Sequence, residues 1–182
     1  MLTASELGDY IESRLTRSAF RLEVLDRYEV AADGGDFARY LAGEPDPDYE
    51  RKQPWLDQLT AEYEAGILNH RVHVLRTPLS DYLRYECEWG YLLNARAGEE
   101  IHIIDLAEQP EPEGLVDHDF WLVDDRYGLR MYYSPEGRFH GAEPVDDIVS
   151  YQYARDAALA AAQPFERWWN RHPEEWRANQ PV

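Results

Sequence analysis

A carboxylate set among aromatic side chains on one helix face can work as a poised acid or base, and Glu86 has that setting. Tyr82, Tyr85, Trp89, Leu92 and Leu93 recur at three- and four-residue spacing and form one apolar stripe. Glu86 lies four residues after Tyr82 and three before Trp89, on the stripe or at its edge. A lone buried charge is too costly, so a carboxylate there must be paired, hydrogen-bonded or protonated. It then serves either as a tuned group in a cleft or as an ion pair or tyrosine-hydroxyl contact that fixes packing, and packing is the commoner role. Arg84 and Glu88, four apart, suit an ordinary exposed helix pair. Cys87 has no basic neighbour in sequence and reads as a buried, inert thiol.

The run Asp117-His118-Asp119-Phe120-Trp121-Leu122-Val123-Asp124-Asp125 puts carboxylates at both ends of an apolar strand. Clustered carboxylates suit a hard cation, which prefers oxygen ligands. A strand of about five residues spans roughly 16 Å, too far for one coordination sphere. Turn chemistry is the better reading of Asp124-Asp125, and no metal or cofactor is expected. The six histidines lack the spacing of a zinc protease, and the chain has no phosphate-binding loop and no nucleophile elbow. A pocket between the 79–97 helix and a sheet would gather Tyr82, Glu86, Trp89, Tyr91, Trp121 and Asp124. At the two ends of the chain, Arg14, Arg17 and Arg21, and Trp168 with Trp169, are candidate contacts for a partner. They serve equally well as an intramolecular latch and as pins for a terminal helix.

These residues need elements to hold them. Leu7, Ile11 and Leu15 mark a helix over 4–16, and Phe20, Leu22 and Val24 alternate with Arg21 and Glu23 as a strand. Asp33-Gly34-Gly35-Asp36 opens a small helix that ends at Gly43. Pro54 suits the first turn of a helix reaching Gly66. Val72 and Val74 alternate with Arg71 and His73 over a strand 70–76. The helix 79–97 follows, stopped by Gly98, and then a strand 101–104. Strands at 120–123, 129–133 and 138–143 form a meander. Asp146 caps a helix 148–162, and Pro164 restarts it through Trp168 and Trp169. The fold class is α+β: a β-α-β unit and an antiparallel meander in a mixed sheet, packed by helices from both ends of the chain.

The chain has 182 residues, enough for one domain over 1–182, with room for an arm over 1–30 and an aromatic-rich tail over 163–182. Thirteen Tyr and six Trp argue against disorder. The formal charge is −18. It repels nucleic acid and anionic membranes and attracts basic partners. One cysteine excludes an internal disulfide, and Met1–Glu6 lacks the cationic start of a secretory signal, so a reducing cytoplasm is expected. A homo-oligomer is compatible with this composition.

Arg17-Ser18-Ala19-Phe20-Arg21-Leu22-Glu23, Asp81-Tyr82-Leu83-Arg84-Tyr85-Glu86 with Trp89-Gly90-Tyr91, Asp119 to Asp124, and Arg155-Asp156-Ala157-Ala158 together resemble an actinobacterial family of uncharacterised proteins, a domain-of-unknown-function family. The resemblance implies a gene beside small helix-turn-helix regulators and carries no catalytic residue with it. The strand ending in Asp124 is also similar to the sheet of phospholipase-D-like domains, whose His-x-Lys signature is absent. The leading expectation is therefore a non-catalytic acidic interaction module for a basic partner, a helix-turn-helix regulator. The alternative is a small enzyme or ligand-binding protein using the pocket above.

Overall fold

The computed structural model describes residues 1–29 and 35–180. In chain order the elements are α1 (Ala4–Glu12), β1 (Ser18–Glu23), α2 (Asp36–Leu41), α3 (Tyr49–Glu64), β2 (Leu68–Leu75) and α4 (Asp81–Tyr85). A π-helical turn (Glu86–Tyr91) runs straight into α5 (Leu92–Arg96). Then come β3 (Glu100–Asp105), β4 (Phe120–Val123), β5 (Tyr127–Tyr133), β6 (Phe139–Val145), α6 (Ile148–Ala161), β7 (Gln163–Pro164) and α7 (Phe165–Arg171). The strands form one seven-stranded sheet in the order β6-β5-β4-β1-β2-β3-β7. The neighbours β1, β2 and β3 run parallel, while β4 to β6 and β7 pair antiparallel. The fold is thus α+β with a mixed sheet.

Parallel neighbours need a long crossover, and two are present. One carries α2 and α3 between β1 and β2; the other is the helix 81–96 between β2 and β3. Asp33 and Gly34, expected to open α2, lie outside the described residues. Helix α3 starts at Tyr49, because the Asp48 side chain accepts from the Arg51 amide. Pro54 therefore falls inside the helix rather than in its first turn. Asp147, not Asp146, caps α6 by accepting from the Ser150 amide. Gly98 ends the helix at φ 108°, and a Cβ there would sit 2.7 Å from Tyr63.

The two faces of the sheet differ in chemistry. On one, Phe20, Leu22, Val72, Val74, Ile104, Phe120 and Leu122 pack under Tyr151, Ala154 and Ala158 of α6. On the other, Leu75, Ile101 and Ile103 meet Tyr85, Trp89, Tyr91, Phe165 and Trp168. On this second face β1 and β2 also present Arg21, Glu23, Arg71 and His73. Trp168 and Trp169 are buried in its core. The stretch read as an N-terminal arm contains β1, the strand between β4 and β2, and its last residue lies outside the described residues.

Candidate functional site

The charged side chains of the second face form one network beneath the helix 81–96. Arg71 of β2 donates through Nε to Glu99 Oε1 at 2.7 Å and through Nη1 to Glu23 Oε2 at 3.1 Å. Arg21 Nη2 lies 2.7 Å from Glu23 Oε1. Asn94 of α5 holds the other oxygen of Glu99 at 2.9 Å. Two strands and the helix therefore fix one carboxylate–guanidinium chain, with the Arg71 side chain 5% exposed. Burial opposes the charge on Glu23, but Arg21, Arg71 and the Tyr91 hydroxyl overcome it and bring its pKa down to about 2.

His73 is sealed inside. Its Nε2 lies 2.9 Å from the Leu25 carbonyl, which can only accept, so Nε2 carries a hydrogen. Its Nδ1 lies 2.6 Å from the Tyr91 hydroxyl, and that hydroxyl is 2.9 Å from Glu23 Oε2. Burial lowers the His73 pKa against the pull of Glu23, so the ring is held neutral. One phenolic proton of Tyr91 is then shared between two acceptors, the imidazole and the carboxylate. Behind Tyr28, Asp119 accepts from the Tyr28 hydroxyl at 2.7 Å and from the Val24 amide at 2.8 Å. Burial and the charge of Glu23 raise the Asp119 pKa to about 6.

The network opens into a cleft of about 190 Å³. Arg21, Glu23 and Arg71 make its floor, with Tyr28 beside them; Lys52 and Trp55 of α3 stand on one side, and Tyr82, Tyr85, Glu86, Gly90 and Asn94 on the other. The Tyr82 hydroxyl donates to Glu86 Oε2 at 3.1 Å. Glu86 folds over Gly90, where a Cβ would lie 3.1 Å from Oε1. Lys52 Nζ is 3.9 Å from Asp36 Oδ2, a loose contact, since Asp36 also receives Arg39 and Arg51.

The structure brings Tyr82 and Glu86 to this cleft and places Tyr91 beneath its floor. Trp89 faces the far side of the helix, in a groove of about 440 Å³ with Trp169 and Trp176. Trp121 lies outside the cleft, under the Arg21 guanidinium at 5.3 Å. Asp124 also lies elsewhere: it takes the backbone amides of Thr16, Arg17 and Ser18 and the Thr16 hydroxyl, and so clamps the start of β1. Burial would raise the Asp124 pKa, but these donors bring it down to about 2. Arg14 stacks on Tyr10, and Arg17 donates to the Asp124 carbonyl, so both make contacts within the chain. Arg84 pairs with Asp81 and Glu175 instead of Glu88, which accepts from the Arg177 amide. Cys87 is buried, and burial raises its thiol pKa.

The residues missed from sequence are Glu23, Arg71, His73 and Glu99. Glu23, Arg71 and His73 alternate with Leu and Val along their strands, and parallel strands with helical crossovers are covered on both sides. That rule was the available signal. Of possible metal ligands, Asp105, Glu108 and His172 bring atoms within 4.8 Å of one another. Asp105 already accepts from Thr77, Ala107 and Trp168, and Glu108 pairs with Arg171, so that cluster is internally satisfied.

A family model, described as a domain of unknown function (DUF6879), matches residues 5–170. The chain belongs to the DUF6879 family. The match takes in β1, both crossovers, the cleft and all but the end of α7. No curated protein matches the chain. Among the described residues, no helix of this DUF6879 protein is long and apolar enough to cross a membrane.

Proposed function

We propose that this DUF6879 protein binds a small molecule in the cleft between the helix 81–96 and the sheet. The supporting observation is Arg71, fixed between Glu23 and Glu99 on the cleft floor with its side chain 5% exposed. Prepositioned polar groups beside aromatic walls are the usual make-up of a ligand site. The lone, buried Cys87 suits a reducing cytoplasm. The test is a thermal-shift and NMR screen of the whole protein against neutral, cationic and anionic metabolites and divalent metals. A ligand that moves the Gly90 and Asn94 amides and whose affinity is changed by Glu86→Gln, but not by Arg14→Ala with Arg17→Ala, supports the reading. Ligands that all bind elsewhere sink it.

A second reading is a non-catalytic acidic module for a basic protein, a helix-turn-helix regulator. It is favoured by the formal charge of −18 and by the exposure of Tyr49, Trp55 and Tyr63 on α3, beside exposed Glu50, Asp57 and Glu64. Such an association should weaken steeply with salt, because exposed charges are screened beyond about 8 Å at physiological ionic strength. Pulldown of a basic helix-turn-helix regulator across a salt series checks this, and capture that ignores salt counts against it.

A further inference from the structure

We infer that the ligand of this cleft is a small mono-carboxylate with a planar apolar body, its carboxylate seated on Arg71 and Arg21. The inference rests on the small-molecule reading above and adds its chemical class.

A donor left over on the floor sets the sign of the ligand. Arg71 uses Nε on Glu99 and Nη1 on Glu23. Arg21 Nε is buried and has no acceptor among the described residues. A guanidinium held in place with an N–H group to spare matches an oxyanion better than any other partner, since its planar fork fits carboxylate oxygens. The positions are fixed in advance: Asn94 braces Glu99 and Tyr91 braces Glu23, so neither arginine has to be ordered when the ligand arrives. Lys52, loosely held at 3.9 Å from Asp36, adds a third cation at the rim.

Two further features narrow the class. The space of about 190 Å³ equals roughly six water molecules at ~30 Å³ each, which fits one ring or a short chain. Trp55, 40% exposed, and the rings of Tyr82 and Tyr85 supply flat apolar walls. Glu86 stands on the helix side and Glu23 lies in the floor, so a second negative charge would be repelled. A carboxylate is therefore preferred over a phosphate dianion.

The experiment titrates the full chain with benzoate, acetate, inorganic phosphate, benzamide and benzamidine at constant ionic strength. It follows the Trp55 indole and the Gly90 and Asn94 amides by NMR. Benzoate should saturate these signals and bind at least about tenfold more tightly than its neutral and cationic analogues. Acetate should be weaker, and phosphate weaker still. Arg71→Lys keeps the charge but loses the fork, and should cost about tenfold or more in benzoate affinity. Lys52→Met, on the rim, should cost a few-fold and leaves the buried network intact, so it serves if the first variant does not fold. Glu86→Gln should narrow the gap between phosphate and benzoate. Benzamidine or benzamide binding here in preference to benzoate overturns the carboxylate assignment and leaves the small-molecule reading standing. If no probe of any charge reaches these signals, both fall.

Discussion

The same strands of this sheet carry an oily face and an ionic one, and the two are stabilised by different rules. Under α6, Phe20, Leu22, Val72 and Val74 exclude water by area and shape, and each contributes roughly in proportion to what it buries. On the opposite face, the residues interleaved with them, Arg21, Glu23, Arg71 and His73, work as a set. Removing one charge from such a set leaves its partners buried and uncompensated, whereas replacing the whole set with apolar groups is often neutral or even stabilising. Stability alone therefore gives no reason for this ionic face. Its position directly under a cleft does.

The comparison breaks hardest at Arg71. Arg71→Met should destabilise by about 3–5 kcal/mol in urea titration, because Glu99 loses its counterion and Glu23 keeps only Arg21. Replacing Glu23 and Glu99 with leucine in the same chain should recover most of that loss; no recovery would mean that the ionic face is not behaving as a unit. The next effect is one of pH. The Asp119 pKa is about 6 in the fold, against an ordinary 3.8, so the folded protein keeps a proton that the unfolded chain has released. Stability contributed by Asp119 therefore falls as pH rises from about 3.8 to 6, on the order of 2–3 kcal/mol at ~1.4 kcal/mol per unit. Glu23 has the opposite sign: its pKa is about 2 against 4.5, so its contribution is present above 4.5 and fades as pH falls toward 2. Asp119→Asn should remove the first slope and spare the second in urea titrations across pH. On the oily face, Ile104→Val should cost only about 0.5–1.5 kcal/mol by the same measurement. Smallest of all, Arg138→Ala, which breaks an exposed pair with Glu29, should shift stability by less than about 1 kcal/mol.

Much of the fold was legible in sequence because most of its elements are locally specified. The stripe from Tyr82 to Leu93 marks the helix, Gly98 marks its end, and alternation marks β1 and β2. The start of α3 was misplaced because proline at Pro54 imitated a first turn, while the true signal was the carboxylate of Asp48. Half of the candidate site was legible, since Glu86 and Tyr82 share the stripe. Arg71, Glu23 and His73 were hidden because a strand pattern tells which residues share a face and says nothing of what covers it. Trp121 and Asp124 were grouped with the pocket through their nearness along β4, but Asp124 belongs to the turn that follows it. The widened turn at 86–91 has no composition signature; it records how Tyr91 reaches His73.

That widened turn fixes the phase of the helix. Each residue of an α-helix advances the side chains by about 100°, so one residue more or fewer between Tyr85 and Leu92 would rotate everything downstream by that angle. Deleting a residue there to restore uniform winding would swing the Tyr91 hydroxyl off Glu23 and carry Asn94 away from Glu99. The helix would survive as a helix, with its apolar stripe roughly preserved on the upstream half. The floor beneath it would lose two braces at once, much as a key cut one notch out of step still enters the lock but lifts none of the pins.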